Sequence, residues 1–292
     1  MLSILIPTYN YNVYPLVLEL KNQAERLAIS YEIIVQDDNS TTFLEENTLI
    51  NTLGNCLFEV NKKNLGRTFN RNILAKKSKN ELLLFLDADV FPSNATFLET
   101  YINLSATHNE TIFGGYEYVK NKYDVSTVLR YKYGIEREEK AASIRNKNPY
   151  SYVFSGNMLI HKSVFFECNF NLEENLYGMD NYFGYQLFSQ KKPIIHIDNT
   201  IIHKGLETNA IFFEKCLNSI QNRKKHLANK EGIDKVNSLL KYYILIKKLK
   251  LTSIVSFLFK VFNKNLKKKI VNDNPNLFYL DIYRLGYICF IK

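Results

Sequence analysis

The sequence predicts an α/β fold in which helices flank a mostly parallel central sheet. In the first third of the chain, four apolar runs alternate with three segments of helical periodicity, which is the order of a parallel sheet with crossover helices. The run from Leu82 to Leu86 is apolar on both faces, as in a strand buried on both sides. Polar residues directly follow three of the runs, and such sheets bind ligands beyond the carboxyl ends of their strands.

The predicted elements follow one another at short intervals. Pro15 suits the first turn of the first helix. Thr42 and Glu45 predict a capping box at the start of the second helix, which ends near Gly54. The predicted strands cover residues 2–7, 31–36, 57–60 and 82–86, and the predicted helices cover residues 15–29, 42–54 and 66–77.

The rest of the chain is less regular. A strand pattern over residues 152–160 is interrupted by Ser155-Gly156-Asn157, residues 181–189 predict a helix, and residues 194–202 predict one or two strands. From residue 206 the pattern is mostly helical. We therefore divide the chain into residues 1–110, 111–205 and 206–292.

The composition is that of a globular protein, with 46% hydrophobic and 23% charged residues. The net charge of +9 comes from residues 206–292, which contain 17 Lys or Arg against 6 Asp or Glu. The four cysteines lack the spacing of a zinc site or a disulfide framework, which favours reduced thiols. The N-terminal apolar run is too short for a signal peptide or a membrane span, so we expect a cytoplasmic protein.

The strongest chemical signal is Asp87-Ala88-Asp89, directly after the apolar run at residues 82–86. Alternate carboxylates after a strand point into one crevice, where one binds a hard cation and the other a ribose or a metal-bound water. Mg²⁺ or Mn²⁺ bound there would bridge a diphosphate and neutralise its charge as it leaves. The alternative is an acidic loop without a ligand.

With three further segments, this motif makes the chain resemble the inverting glycosyltransferases of family 2, which have the GT-A fold. The segments have the family's order and spacing and are Ile4-Leu5-Ile6-Pro7-Thr8-Tyr9-Asn10, Glu32-Ile33-Ile34-Val35-Gln36-Asp37-Asp38-Asn39-Ser40, and Asn64-Leu65-Gly66-Arg67 through Arg71-Asn72. The resemblance covers residues 1–205. It implies a Rossmann-like nucleotide-diphospho-sugar transferase fold and a hexosyltransferase that acts in polysaccharide or glycolipid assembly.

The resemblance also implies what each part of the chain does. Residues 1–110 would be the half that binds the nucleotide-sugar, residues 111–205 the acceptor-binding and catalytic half, and residues 206–292 a basic helical extension. In such enzymes the first two loops hold the base and ribose, and the third flanks the donor pocket. The donor-binding residues would then be Pro7, Tyr9, Asp37, Asp38, Gly66, Arg71 and Asp87. The alternatives are helix capping for Asp37 and Asp38 and a surface position for Arg71.

Asp89 is predicted to hold Mn²⁺ or Mg²⁺, and the resemblance implies that His203 completes the metal shell, the alternative being a structural histidine. In the family, a G-x-E-D pattern supplies the general base. Here the segment is Tyr177-Gly178-Met179-Asp180, which has Met179 where the glutamate is usual but retains Asp180 as the base for direct, inverting displacement. The alternative role of Asp180 is to cap the following helix.

The acceptor side carries a weaker signal. The resemblance places Gly156 and Asn157 near the acceptor, which would be a glycan or a lipid-linked sugar, and a UDP-sugar is the donor that the family favours. The processive Q-x-x-R-W signature and a transmembrane bundle are missing, which predicts the addition of one sugar per acceptor.

The C-terminal segment suggests a second kind of partner. Residues 239–262 are apolar but interrupted by lysines, a pattern typical of an amphipathic helix at a membrane interface. We hypothesise attachment to an anionic membrane surface, peripheral on the inner face. The alternative is a helix that packs on the domain with a solvated basic face. No nucleic-acid-reading module accompanies the charge, so we expect no nucleic-acid partner.

Four other functions are less well supported by the sequence. A sugar nucleotidyltransferase needs a glycine-rich loop after the first strand, and Pro7-Thr8-Tyr9-Asn10 contains no glycine. The fingerprints of dehydrogenases and of phosphate-loop nucleotidases do not occur. A non-catalytic nucleotide-sugar-binding or scaffold protein on the same fold is the remaining alternative.

Overall fold

The computed structural model describes residues 1–120, 123–170 and 175–291. A large and a small sheet form its centre. The strands in these residues are β1 (Leu2–Thr8), β2 (Tyr31–Asp37), β3 (Cys56–Val60), β4 (Leu82–Leu86), β5 (Val90–Pro92), β6 (Thr111–Phe113), β7 (Tyr116–Glu117), β8 (Asn157–His161), β9 (Ile194–His196) and β10 (Ile201–His203).

The large sheet has the strand order β3-β2-β1-β4-β8-β6-β9. Strand β1 lies parallel to β2 on one side and to β4 on the other, and β2 is parallel to β3. Strand β8 is antiparallel to both neighbours, β4 and β6, while β9 is parallel to β6. The predicted mostly parallel α/β sheet is confirmed, and the carboxyl ends of β1, β2 and β4 lie side by side at one edge.

The two faces of this sheet are both buried. Ile4 and Leu84 belong to one hydrophobic cluster, while their chain neighbours Leu5 and Phe85 belong to another. All four side chains are fully buried, and burial of each contributes about 1.5–3 kcal/mol. The apolar runs of the sequence thus reflect a sheet that is covered on both sides.

Helices cover the sheet and form the C-terminal region. They are α1 (Tyr14–Arg26), α2 (Leu44–Thr48), α3 (Arg67–Lys77), α4 (Phe97–Ser105), α5 (Val128–Tyr133), α6 (Ala142–Arg145), α7 (Lys162–Cys168), α8 (Asp180–Ser189), α9 (Asn209–Leu227), α10 (Ser238–Lys248), α11 (Thr252–Ile270) and α12 (Leu277–Phe290). A π-helical turn, Gly134–Glu138, follows α5 directly.

The small sheet has the order β5-β10-β7. Strand β10 is antiparallel to β5, with His203 opposite Val90, and is parallel to β7. The strand pattern predicted over residues 194–202 therefore becomes two strands that belong to different sheets. This arrangement brings the end of β10 next to the segment that follows β4.

The structure corrects two of the predicted boundaries. The Thr42–Glu45 capping box is wrong, because helix α2 begins only at Leu44 and its N-cap residue, Phe43, has a left-handed φ of 62°. The Thr42 hydroxyl lies instead 3.3 Å from the side-chain oxygen of Asn10. The strand predicted from residue 152 starts only at Asn157, since the preceding Ser155-Gly156 turn approaches the end of β4.

The C-terminal region is helical, as predicted. Residues 239–262 do not form one helix, because the chain turns between α10 and α11, where Lys250 has a φ of 59°. Helices α11 and α12 pack closely, and a side chain at Gly286 would meet the ring of Phe259. Within residues 1–120, 123–170 and 175–291, no helix is long and apolar enough to cross a membrane.

Candidate active site

The loops after β1 and β2 are joined at the carboxyl edge of the large sheet. The backbone N–H of Asp38 donates to the carbonyl of Thr8 at 2.9 Å, and that of Asn10 donates to the Ser40 hydroxyl oxygen at 2.7 Å. Asp37 is fully buried, and its two carboxylate oxygens accept from the backbone N–H and the hydroxyl of Ser40. Asp37 thus holds the shape of the second loop.

Asp38 connects the second loop to the start of α3. Its carboxylate accepts the backbone N–H groups of Leu65 and Gly66, both at 2.8 Å, and the Asn61 side-chain amide at 3.0 Å. Gly66 has a φ of +83°, where a side chain is strained, and an added Cβ would lie 2.6 Å from a side-chain oxygen of Asn175. Glycine here lets the backbone donate directly to Asp38.

The buried carboxylate of Asp87 lies at the centre of a charged cluster in which Arg71 is buried and Arg67 is exposed. Its Oδ1 accepts from Nη2 of Arg71 at 2.6 Å, and its Oδ2 lies 3.0 Å from Nη2 of Arg67. The Tyr116 hydroxyl donates to Oδ2 at 3.3 Å. Burial acts to raise the pKa of the Asp87 carboxyl, but Arg67 and Arg71 outweigh it and hold the pKa below its ordinary value. Asp87 is therefore a carboxylate, and Arg71 is a buried partner, not a surface arginine.

Gly156 makes this cluster possible. Its carbonyl accepts the backbone N–H of Asp87 at 3.2 Å. A Cβ at this position would lie 2.1 Å from Oδ2 of Asp87 and 2.2 Å from the Tyr116 hydroxyl, so any side chain would displace both. Gly156 thus sets how closely the turn before β8 approaches the end of β4.

Asp89 and His203 face each other across the two sheets. Oδ2 of Asp89 lies 3.5 Å from Nε2 of His203, and both residues are partly exposed. Burial, followed by the charge of Asp89, raises the pKa of Tyr11 in the first loop, which indicates that this loop lies near the pair. Among the described residues, no group of three or more His, Cys, Asp or Glu side chains has the arrangement of a metal site.

The His203 ring is held in place from behind. It stacks on Tyr118, with 5.5 Å between ring centroids. The Tyr118 hydroxyl donates to the Glu138 carboxylate and accepts from Arg130 at 2.9 Å. Nδ1 of His203 is buried and has no hydrogen-bond partner among the residues that the structure describes. The ring therefore presents Nε2 toward Asp89, while Nδ1 makes no hydrogen bond within the described residues.

Asp180 is the first residue of α8, and its carboxylate faces the charged cluster. Oδ1 accepts from the Ser155 hydroxyl, and Oδ2 lies 3.8 Å from Nη2 of Arg67. The N-cap residue of α8 is Met179, which makes no side-chain cap hydrogen bond. Asp180 is therefore not the N-cap of α8. Its contact with Arg67 places that guanidinium between the carboxylates of Asp87 and Asp180.

The remaining predicted residues differ in how accessible they are. Tyr9 is exposed at the same edge, while Pro7 is buried within β1. Asn157 is buried, and its side chain bonds to the Tyr101 hydroxyl and to the carbonyls of Gly115 and Asn199. The side chain of Asn157 has a packing role here, and its contact with an acceptor stays a prediction that this geometry does not support.

The structure brings most of the predicted residues to one edge of the sheet. Arg67, Tyr116 and Ser155 each contact a predicted carboxylate, although no role was predicted for them from the sequence. For Arg67 and Ser155 a signal existed, since both belong to segments that resemble family motifs. Tyr116 carried none, because its position depends on the small sheet.

Comparison with known proteins assigns the chain to a family. The family model for glycosyl transferase family 2 matches residues 3–171. The crystal structure of S. aureus TarS matches with a TM-score of 0.49 and 18% identity over 86% of this chain and 43% of that chain, so this chain spans less than half of it. A structure of S. aureus TarS 1-349 in complex with UDP-GlcNAc matches with a TM-score of 0.46 and 14% identity over 98% and 89% of the two chains. No curated protein gives a significant match.

Proposed function

The chain belongs to glycosyl transferase family 2 and is a glycosyltransferase, and we propose that it transfers one sugar from a UDP-sugar to an acceptor hydroxyl with inversion at the anomeric carbon. The single observation that carries this proposal is the Asp87–Arg67–Asp180 contact, which joins the predicted donor side to the predicted base. The Asp89–His203 pair lies where β5 begins and β10 ends.

The donor would bind at the carboxyl edge of β1, β2 and β4. Tyr9 is exposed there and is proposed to contact the base. Pro7, Asp37, Asp38 and Gly66 shape the loops around it, as their burial and hydrogen bonds indicate. Arg71 neutralises Asp87, which is proposed to face the ribose or a metal-bound water.

The Asp89–His203 pair is proposed to hold Mn²⁺ or Mg²⁺: the carboxylate suits both ions, which favour oxygen ligands, and the imidazole would be a further ligand. Carboxylate Oδ2 of Asp89 and imidazole Nε2 of His203 would be the protein ligands, since Nδ1 of His203 is buried and faces away from Asp89. A bound divalent cation neutralises the charge that develops on the leaving diphosphate. The protein contributes the fixed orientation of both ligands, since His203 pairs with Val90 in the small sheet.

Asp180 is the proposed general base. Its carboxylate is partly exposed and is oriented by the Ser155 hydroxyl. In this position it would accept the proton of the acceptor hydroxyl while the oxygen attacks the anomeric carbon, and direct attack inverts that carbon. Met179, where the family usually has glutamate, is buried and lies against the same small cavity as Arg71 and Asp180.

We propose a glycan or lipid-linked sugar as the acceptor, in polysaccharide or glycolipid assembly. Residues 1–110 would form the donor-binding half, residues 111–205 the acceptor-binding and catalytic half, and residues 206–292 the basic extension. That extension would hold the enzyme peripherally on the inner face of a membrane, near a lipid-linked acceptor. Its charge, 17 Lys or Arg against 6 Asp or Glu, supports an anionic partner.

The proposal is tested by release of UDP from a panel of UDP-sugars, with and without Mn²⁺ and with chelator. We expect one or a few UDP-sugars to give release that chelator abolishes, and we expect Asp89→Ala to lose it while remaining folded. A thermal-shift screen of the same panel identifies the donor, because a ligand that binds only the folded state raises the melting temperature. Binding of UDP-sugars without any release would favour a scaffold protein, and release unaffected by chelator would contradict the metal role.

A further inference from the structure

Helix α11 carries an apolar stripe that faces solvent. Its five side chains recur at helical spacing and are between 47% and 65% exposed, and we define the stripe by them: Ile254, Phe257, Leu258, Val261 and Phe262. Single exposed apolar residues are ordinary on a protein surface, but five on one helix face form a contiguous patch. Such a patch indicates a binding surface.

The stripe does not hold the fold together. Helix α11 packs on the rest of the protein through a different face, on which Phe259 and Ile270 are buried. Phe259 contacts the ring of Tyr283 in α12, with 4.9 Å between ring centroids. Substitutions in the stripe should therefore leave the folded structure intact.

Lysines lie beside the stripe. Residues 238–270 contain nine lysines, all exposed, and no Asp or Glu. Three of them, Lys260, Lys264 and Lys268, follow one another at a spacing of four residues along α11. A partner of this surface must therefore accept apolar side chains and also carry negative charge.

We propose that the stripe and its flanking lysines form a docking surface for an anionic membrane. Apolar side chains would enter the boundary between headgroups and acyl chains, while lysine stems extend to lipid phosphates. A second copy of this chain fits less well, because a two-fold contact would bring two sets of lysines together. This inference rests on the proposed function for its biological sense, since a lipid-linked acceptor lies in such a membrane.

The surface is narrower than the amphipathic segment indicated by the sequence. Helix α10 buries Leu239, Leu240 and Tyr243 against the protein and exposes two large apolar side chains, Tyr242 and Leu245, whereas α11 exposes the five of the stripe. Membrane contact would therefore depend on residues 254–262 and much less on residues 239–246.

The test measures how the full chain partitions onto vesicles by sedimentation. Vesicles of phosphatidylcholine with phosphatidylglycerol should bind the protein at low salt, and pure phosphatidylcholine should bind it at least about tenfold less. Ile254→Ser with Phe257→Ser should lower binding to the mixed vesicles about tenfold or more, and so should Lys260→Glu with Lys264→Glu.

Two matched controls lie far from the stripe in sequence. Leu49→Ser removes a side chain that is 52% exposed, and Lys76→Glu with Lys147→Glu changes the net charge equally at two exposed positions. Both controls should bind vesicles like the wild type. Equal binding to the two kinds of vesicle, or stripe variants that bind like the wild type, would overturn the inference, and so would a lipid-free dimer that the stripe substitutions dissociate.

This outcome is separable from that of the proposed function. UDP release in solution does not require vesicles. If the protein releases UDP but does not bind vesicles, only the inference of a membrane-docking surface is contradicted. Vesicle binding without UDP release would support the membrane-docking surface and contradict the proposed reaction.

Discussion

Nε2 of His203 lies 3.5 Å from Oδ2 of Asp89, although 113 residues separate the two in the chain. The antiparallel pairing of His203 with Val90 produces this contact, because it sets the histidine beside the residue that precedes Val90. The segment that follows β4 of the large sheet thus lies next to the last residue of β10 in the small sheet. The proposed metal site depends on this register.

Gly205→Ala should disturb this pair selectively. A Cβ at residue 205 would lie 2.0 Å from Oδ2 of Asp89, so the Asp89 side chain would have to move. We expect Mn²⁺ affinity and UDP release to fall about tenfold, with the melting temperature nearly unchanged, since an imperfectly placed ligand costs roughly 1–2 kcal/mol. Calorimetric Mn²⁺ titration measures the first quantity.

Gly54→Ala is the control for that substitution, because no atom of the described part of the chain outside the glycine and its two neighbours lies within 4 Å of the Cβ that it adds. Both metal affinity and release should match the wild type in this variant. A Gly205→Ala enzyme with unchanged Mn²⁺ affinity would show that Asp89 does not hold the cation.

Asp87→Ala should be among the most destabilising substitutions in the site. It leaves two arginines, Arg71 and Arg67, without their shared buried carboxylate. Removal of one partner from a buried ion pair costs about 3–5 kcal/mol of the free energy of unfolding. Urea denaturation measures this, with the partly exposed Asp89→Ala as the control, for which we expect a change of about 0.5 kcal/mol or less. Equal stability of the two variants would contradict the structural role of Asp87.

Asp180→Asn should lower kcat by about 100- to 10,000-fold, because an amide does not accept the acceptor proton. The side chain keeps its size, and the Ser155 hydroxyl still has an oxygen to bond to. The KM for the donor should change little, as should the melting temperature. Steady-state kinetics with a soluble acceptor provide the measurement, and a kcat within a few-fold of the wild type would rule out Asp180 as the base.

Stability should fall at acid pH because of His196. Burial lowers the pKa of this histidine from 6.5 to about 4, and its ring accepts from Arg145 at 2.9 Å. Between pH 6.5 and 4 the unfolded chain therefore binds a proton at His196 that the folded protein does not bind. The contribution of His196 to the free energy of unfolding is fully present above pH 6.5 and is lost as the pH falls. The loss from this group is about 3 kcal/mol at pH 4.

Urea denaturation from pH 7 to pH 4 measures that loss. The reference is His196→Gln, a less stable variant whose side chain does not titrate, and whose free energy of unfolding should fall by about 3 kcal/mol less over the same range. Parallel pH profiles for the two proteins would contradict the assignment to His196.

The sequence predicted the sheet well because its signals are local. Each of the first four strands is a run of apolar residues, and these strands form within one residue of their predicted ends. The capping box failed because a hydroxyl has several partners within reach. Thr42 faces the side chain of Asn10, a choice that depends on how two loops meet in space.

Among the predicted site residues, Arg71 contacts Asp87 and His203 contacts Asp89 in the structure, whereas no role was predicted for Arg67 and Tyr116. Asp87, Asp89 and Asp180 stand out as acidic residues that follow a strand or precede a helix. The pairing of Asp87 with Arg67 and Tyr116 depends on tertiary distances to α3 and to the small sheet. Asp38 shows the same limit, since its partners at residues 65 and 66 are backbone N–H groups that no side-chain pattern reveals.

Arg67 lies between Asp87, on the proposed donor side, and Asp180, the proposed base. One guanidinium nitrogen lies 3.0 Å from Asp87 and 3.8 Å from Asp180, so an anion that draws it toward the donor pocket also withdraws positive charge from the base. Binding of the donor would in this way make the carboxylate of Asp180, the proposed base, more reactive, and we expect an ordered kinetic scheme in which the nucleotide-sugar enters first. A single flexible side chain would in this way discourage proton abstraction until a sugar is available to receive the attack.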